Sequence, residues 1–306
     1  MPLRYLICCS VILLRLYGAA LADGGPGKAV HTAGVESGPL REQPIRRFRK
    51  QAIQKVTVSG GWLASTDGND LNTSHVSVST GLGVPLGSFE NILGVTPSFR
   101  VDCLDAASGI DVPTELYEAG IQFFARKPLK DRLTAMMIVR PSVRSDFTTG
   151  DNAFRVFGMA LLNWEKVPDQ LVLSGGVVSL GRADIPVLPA IGLKWTPDVR
   201  TKLDLRFPES RWSWRVQRTG NENETWAHIS VGIGGNTWAV TRRSGRTDEL
   251  SIRDVRLQCG LEHVVDGGSG WFLNGGWAFA RKLEYEQTAT QVSLNDGMFL
   301  QGGLNY

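Results

Sequence analysis

The chain has 306 residues, of which 42% are hydrophobic and 21% charged, with 33 basic against 30 acidic side chains. This balance excludes a disordered polyelectrolyte and gives no reason to expect nucleic acid as a partner. Thirty-five glycines and nine tryptophans exceed ordinary usage and point to strands and tight turns.

Met1 to Ala22 reads as a short basic start at Arg4, an apolar stretch from Tyr5 through Leu14, and Ala20-Leu21-Ala22 before Asp23. That is the pattern of a secretory signal peptide over residues 1–22 with an A-x-A cleavage site. The apolar run is too short for the roughly 20 residues a spanning helix needs. No later stretch is a transmembrane helix, the longest apolar run being Ala135-Met136-Met137-Ile138-Val139. An exported chain of this kind is either soluble or crosses a membrane as a closed β-barrel.

Residues 23–53 carry a glycine-rich start and a basic cluster of Arg41, Arg46, Arg47, Arg49 and Lys50, with Lys55 just beyond. No period-2 pattern occurs here, which predicts a flexible basic tail. Ile45, Phe48 and Ala52 would suit a short amphipathic helix that touches anionic lipid or plugs a lumen, and a solvated arm is the plainer reading.

From residue 54 to 306 the signal is alternation. Apolar stripes run through Val56–Ala64, Val95–Cys103, Tyr117–Ala125, Leu133–Val139, Phe154–Trp164, Leu171–Leu180, Val187–Trp195, Leu203–Phe207, Trp226–Val240, Val255–Leu261, Leu273–Tyr285 and Met298–Tyr306. Turn clusters such as Thr149-Gly150-Asp151-Asn152 and Asp266-Gly267-Gly268-Ser269-Gly270 separate them. Several stripes reach the ~9–11 residues of a membrane barrel strand rather than the ~5–6 of a soluble sheet. Their polar faces carry both signs of charge, which a dry core would not tolerate. Trp62, Trp164, Trp195, Tyr285 and Tyr306 fall at stripe ends, as an interfacial girdle requires.

The expected fold is therefore all-β: a single closed antiparallel transmembrane β-barrel with an up-and-down meander. The length from Val56 to Tyr306, shared among strands and loops, accommodates about 10 to 14 strands, and the preference for even numbers settles the expectation on about 12. Arg211-Trp212-Ser213-Trp214-Arg215 stays undecided between a short strand and a loop.

Pro189-Ala190-Ile191-Gly192-Leu193-Lys194-Trp195-Thr196-Pro197, followed by Leu203-Asp204-Leu205-Arg206-Phe207-Pro208, resembles adjacent segments of an uncharacterised bacterial outer-membrane β-barrel family, domain of unknown function 6268. Gly234-Gly235-Asn236-Thr237-Trp238, Arg253-Asp254-Val255-Arg256 and Phe279-Ala280-Arg281-Lys282-Leu283-Glu284-Tyr285 resemble later pieces of it. The likeness implies an outer-membrane barrel and brings no catalytic residues. The closing Leu304-Asn305-Tyr306 is similar to the C-terminal signal read by barrel-assembly machinery, with Leu304 and Tyr306 as its apolar positions.

Candidate chemistry is thin. No HExxH, CxxC or close histidine pair argues for a metal, and no G-x-S-x-G elbow argues for a hydrolase, so no cofactor, metal or catalytic residue is expected and the chain reads as no enzyme. Gly24-Gly25-Pro26-Gly27-Lys28 lacks phosphate-loop spacing, and the Asp67–Asp70 cluster suits a turn better than a calcium site. Cys103 and Cys259 both fall on lipid-facing stripes and should not form a disulfide. The lumen-lining candidates are Glu118, Gln122, Arg126, Arg132, Arg140, Asp254, Arg256, Glu262, Lys282 and Glu284. Opposed charges there would screen small polar solutes, or pair across the interior and close it.

Three readings follow. The first is a bacterial outer-membrane channel or transporter for small polar solutes, surrounded by outer-membrane lipid. The second is a non-conducting anchoring barrel. The third is a secreted soluble β-sandwich that binds a ligand through its tryptophans. The sequence leaves the solute and the oligomeric state open.

Overall fold

The computed structural model describes residues 42, 45–47, 51–67, 70–86, 88–181 and 187–306. The signal-peptide stretch, the glycine-rich stretch at 24–28 and most of the tail lie outside these residues. Residues 44–306 form one compact unit.

That unit is all strand. The first seven are β1 (Ile53–Ser65), β2 (Leu71–Leu86), β3 (Ser88–Ala106), β4 (Glu115–Lys130), β5 (Leu133–Ser145), β6 (Phe154–Val167) and β7 (Leu171–Ser179). Then follow β8 (Leu188–Trp195), β9 (Thr201–Arg206), β10 (Glu209–Thr219), β11 (Asn223–Thr241), β12 (Thr247–Val265) and β13 (Gly270–Tyr285). The chain closes with β14 (Thr290–Ser293) and β15 (Gly297–Asn305). Each strand through β13 pairs antiparallel with the next, and β15 pairs with both β13 and β1. Thr57 faces Asn305 and Ser65 faces Gly297 across that last seam. The short β14 only extends β13 beyond the point where β15 stops. The result is a closed up-and-down barrel of 14 strands.

The number is 14 rather than 12 because β2 and β10 are staves of their own. β2 carries Asn72, Thr73, Ser74, His75, Ser77, Ser79 and Thr80, so its hydrophobic contrast is low although Val76 and Val78 alternate correctly. β10 is the undecided Arg211–Arg215 segment; it pairs with β9 and β11 over its length.

Side-chain alternation follows from the pleat. Trp62, Met137, Leu162, Ile191, Trp212, Leu257, Met298 and Leu300 point away from the ring, each more than a third exposed, and Ile191 reaches 82%. An apolar surface continuous around a closed barrel exceeds what a water-exposed protein tolerates and matches a lipid-facing wall. Among the described residues no helix is long and apolar enough to cross a membrane. No disulfide joins Cys103 to Cys259.

The two rims differ. At the end where β1 starts and β15 finishes, the connections are turns such as 131–132, 168–170 and 220–222. At the other end lie the longer segments 107–114, 146–153 and 286–296. We call these the turn end and the loop end. The walls also differ: β3, β11 and β12 each run 19 residues, while β7, β8 and β9 have 9, 8 and 6.

Candidate functional site: the barrel interior

The inward faces of several strands follow one rule. On a strand, residues two apart share a face, so an acid and a base at that spacing meet on the lumen side. Arg100 donates to Asp102 with its Nε at 2.7 Å and Nη2 at 2.5 Å. Arg256 does the same to Asp254 at 2.7 and 2.9 Å. Arg206 pairs with Asp204, and Arg211 with Glu209 at 3.0 Å. The spacing that creates these four pairs, acid-x-base in three and base-x-acid in Arg100–Asp102, is readable in the sequence, although alternation alone does not single it out.

Other pairs cross between strands. Glu118 on β4 is only 2% exposed. It accepts from Arg140 at 2.8 Å, from Arg144 at 3.3 Å and from Asn236 on β11 at 3.3 Å. Arg155 on β6 pairs with Glu249 on β12. The Glu118–Asn236 and Arg155–Glu249 links join strands that are not neighbours in the sheet, so the interior is bridged at that level.

Towards the loop end the interior turns apolar. Leu71, Leu104, Leu116, Trp238, Val240, Leu250, Leu283, Tyr285 and Leu294 form one buried cluster, with Ile110 and Val112 of the β3–β4 loop packed against it. A second device fastens that loop. Asp111 accepts from Arg242 Nε at 3.1 Å and from the Arg243 backbone N–H at 3.3 Å. Arg242 in turn lies over the Tyr285 ring at 4.0 Å, and the Tyr285 hydroxyl donates to the Asp111 carbonyl. The β5–β6 loop is tied to the same place: Asp146 N–H donates to the Ala239 carbonyl, and Thr241 N–H donates to Asp146 Oδ2 at 2.9 Å. We call this assembly the cap.

At the turn end the tail meets the barrel. Residues 45–47 and 51–52 are not helical, so the amphipathic helix expected over Ile45, Phe48 and Ala52 is not formed by the described residues. Arg46 instead bonds the β12–β13 turn through its backbone N–H to Asp266 at 2.9 Å and through its guanidinium at 2.6 Å. Gly267 N–H donates back to the Arg46 carbonyl at 2.9 Å. Gly268, at φ +90°, could not carry a side chain: a Cβ there would lie 2.4 Å from the Arg47 carbonyl oxygen. Arg47 reaches Glu262 at 3.1 Å. The Arg46 hydrogen bonds hold the Asp266 carboxyl below its usual range, and Asp266 raises the Arg46 guanidinium in return.

The sequence candidates distribute as follows. Glu118, Gln122, Arg140, Asp254, Arg256 and Glu262 lie on inward registers, and Arg126 does so near the turn-end rim, where it is exposed. Arg132 is not on the wall: it occupies the β4–β5 turn with φ 66°. Lys282 and Glu284 are on the opposite face from the one expected. A bulge at Phe279–Arg281, with Ala280 at φ 52°, inserts an extra residue and flips the remainder of β13. Lys282 is consequently exposed and Glu284 meets Arg253 at 3.1 Å, while Arg281, Leu283 and Tyr285 turn inward. Tyr285 therefore belongs to the cap, not to an aromatic girdle. Asp70 accepts from the Asn295 N–H at 2.5 Å and from the Ser65 hydroxyl at 3.5 Å, so it fastens loops. Among the described residues no group of three or more His, Cys, Asp or Glu side chains is placed to hold a metal ion.

Sequence reasoning missed two things. It did not anticipate the cap, whose residues come from strand ends far apart in the chain. It also treated the lumen as polar throughout. Leu161, Val178 and Ala190, backed by Met136, Phe157, Met159, Leu188 and Phe207, form a buried cluster on the inward side of β5–β8.

A family model described as "Domain of unknown function (DUF6268)" matches residues 106–297. The chain belongs to that family. Its match spans β4 to β14 and includes the cap residues of β11–β13. No curated protein matches the sequence. Among solved structures, the chain is similar to the COG4313 outer membrane channel from Pseudomonas putida F1, at 10% identity and TM-score 0.40, covering 87% of this chain and all of that one. It is also similar to the beta domain of the Bordetella autotransporter BrkA, at 10% identity and TM-score 0.36, covering 82% and 97%. Pseudomonas aeruginosa OccK11 matches at 8% identity and TM-score 0.30, covering 86% and 98%. Likeness at this level supports no residue-by-residue transfer.

Proposed function

We propose that the protein is an outer-membrane channel for small polar solutes that rests closed at its loop end. The observation carrying this reading is an apolar cap seated over a lumen lined with partly accessible charges. Beneath the cap the Arg100, Arg140 and Arg256 side chains keep 32%, 31% and 31% of their surface accessible. Charges that were meant only to fill a dry interior would be buried to a greater degree. Placement in the bacterial outer membrane rests on the lipid-facing barrel together with the signal-peptide pattern. Outer-membrane lipid and the barrel-assembly machinery are then its partners, the latter through Leu304 and Tyr306 on the closing strand. The reading assigns the barrel no catalytic step.

One set of contacts favours a second reading, the non-conducting anchor. The bridges from Glu118 to Asn236 and from Arg155 to Glu249 close the interior part-way. Planar-bilayer recording separates the two. The channel reading expects little current from the wild type and a clear rise when the cap is loosened. Silence from both proteins would leave the anchor.

A further inference from the structure

Between the cap and the mid-lumen lies a chamber of about 130 Å³. Its walls carry three guanidinium groups, Arg100, Arg256 and Arg281, against two carboxylates, Asp102 and Asp254. Both carboxylates are already engaged bidentately by Arg100 and Arg256. Arg281 is 3% exposed and donates to two backbone carbonyls, those of Leu71 and Asn295, at 2.7 and 2.8 Å. The chamber thus holds a buried cation whose hydrogen bonds go to neutral acceptors. Asp70, Asp254 and Asp296 lie close enough to act on it electrostatically, but only Asp254 of these lines the chamber, whose own wall therefore carries three guanidinium groups to two carboxylates.

Two further features point to a ligand. Trp238 lines the chamber, is 4% exposed, and its indole Nε1 has no hydrogen-bond partner among the described residues. A buried N–H donor of that kind is costly unless something accepts from it. Gly234 makes the seat for the Asp254–Arg256 pair: a Cβ there would lie 2.0 Å from Asp254 Oδ1 and 2.5 Å from Arg256 Nε. Leu63, Leu104, Ile252 and Phe299 give the chamber an apolar side, while Thr73, His75, Asn236 and Gln301 add neutral polar groups to its wall.

We propose that this chamber binds small monocarboxylates that carry an apolar body. The carboxylate faces the guanidinium groups and the Trp238 N–H, and the body lies against the underside of the cap. An inorganic anion would satisfy the charge but leave the apolar walls unused. The inference deepens the channel reading and rests on it for the ligand's route.

The test is titration calorimetry of the full-length barrel in lipid nanodiscs, with sodium benzoate, sodium phosphate and benzylammonium chloride as probes and empty nanodiscs as the blank. Benzoate should bind saturably at one site, benzylammonium should not, and phosphate should bind at least tenfold more weakly. Arg256→Gln should weaken benzoate at least tenfold. Trp238→Phe, which removes the indole N–H together with the pyrrole part of the ring, should weaken it severalfold, with heat-modifiable gel mobility confirming that both variants fold. Absence of saturable benzoate binding, equal affinity for phosphate, or wild-type affinity in both folded variants would overturn the proposal. Bilayer recordings on the same preparations keep the two readings apart. Conduction by a cap variant without benzoate binding removes this inference and leaves the channel; benzoate binding without conduction removes the channel and leaves the site.

Discussion

The tall wall of β2–β4 and β11–β13 and the low wall of β7–β9 solve the same problem by different means. Both turn apolar residues outward, as Leu257 and Ile191 show. Inward, the tall wall carries ion pairs two residues apart and ends in the cap. The low wall keeps one such pair, Asp204–Arg206 on β9, and otherwise carries Val178 and Ala190 in a dry cluster with Leu161 of the adjoining β6. The contrast teaches that the inner surface of one barrel is not chemically uniform. Where strands are long, inward charges satisfy one another in pairs; where they are short, neighbouring side chains fill most of the space.

That division of labour can be broken from the tall side first. Leu283→Ala removes a fully buried cap residue. We expect it to cost roughly 2–5 kcal/mol by the usual large-to-small penalty and to raise single-channel conductance, measured in planar bilayers. The matching change on the low wall, Leu161→Ala, should lower thermal stability to a similar degree while leaving conductance at the wild-type level. Equal conductance gains from both would erase the distinction between walls. Asp111→Asn comes next. It weakens the hold of Arg242 and Arg243 on the β3–β4 loop, for a loss of about 1–3 kcal/mol, and should increase the frequency of brief openings without altering their amplitude.

The smallest effect concerns the tail. Asp266 is held below its usual range by Arg46, so its contribution to docking is fully present above the ordinary carboxylate range and is lost as the pH falls through the lowered value. A spin label at Ile45 should therefore stay immobilised at neutral and mildly acidic pH and gain mobility only in stronger acid. In Asp266→Asn it should be mobile throughout. Immobilisation that survives in the variant would show that the Arg47–Glu262 pair docks the tail alone.

How much of this was legible in the sequence depends on distance along the chain. Alternation in β6, β12 and β15 is local, so the outward sets Phe154–Trp164, Val255–Leu261 and Met298–Tyr306 could be read directly. β2 was not, because serine, threonine and histidine on its inner face leave too little hydrophobic contrast with Val76 and Val78. The face of Lys282 and Glu284 was misread since a bulge has no strong composition signal when its positive-φ residue is Ala280 rather than glycine. The cap was invisible for another reason: Leu71, Leu116, Trp238 and Leu283 are brought together only by barrel closure. The seat of the tail on Gly268 belongs to the same class.

The most direct test is of which surface meets lipid and which meets water. A nitroxide label walked through positions 255–261 in a reconstituted bilayer should give odd positions that collide with oxygen and even positions that collide with a water-soluble nickel chelate. The two profiles should oscillate out of phase with a period of two. A scan with the phases exchanged, or with no oscillation, would contradict the account.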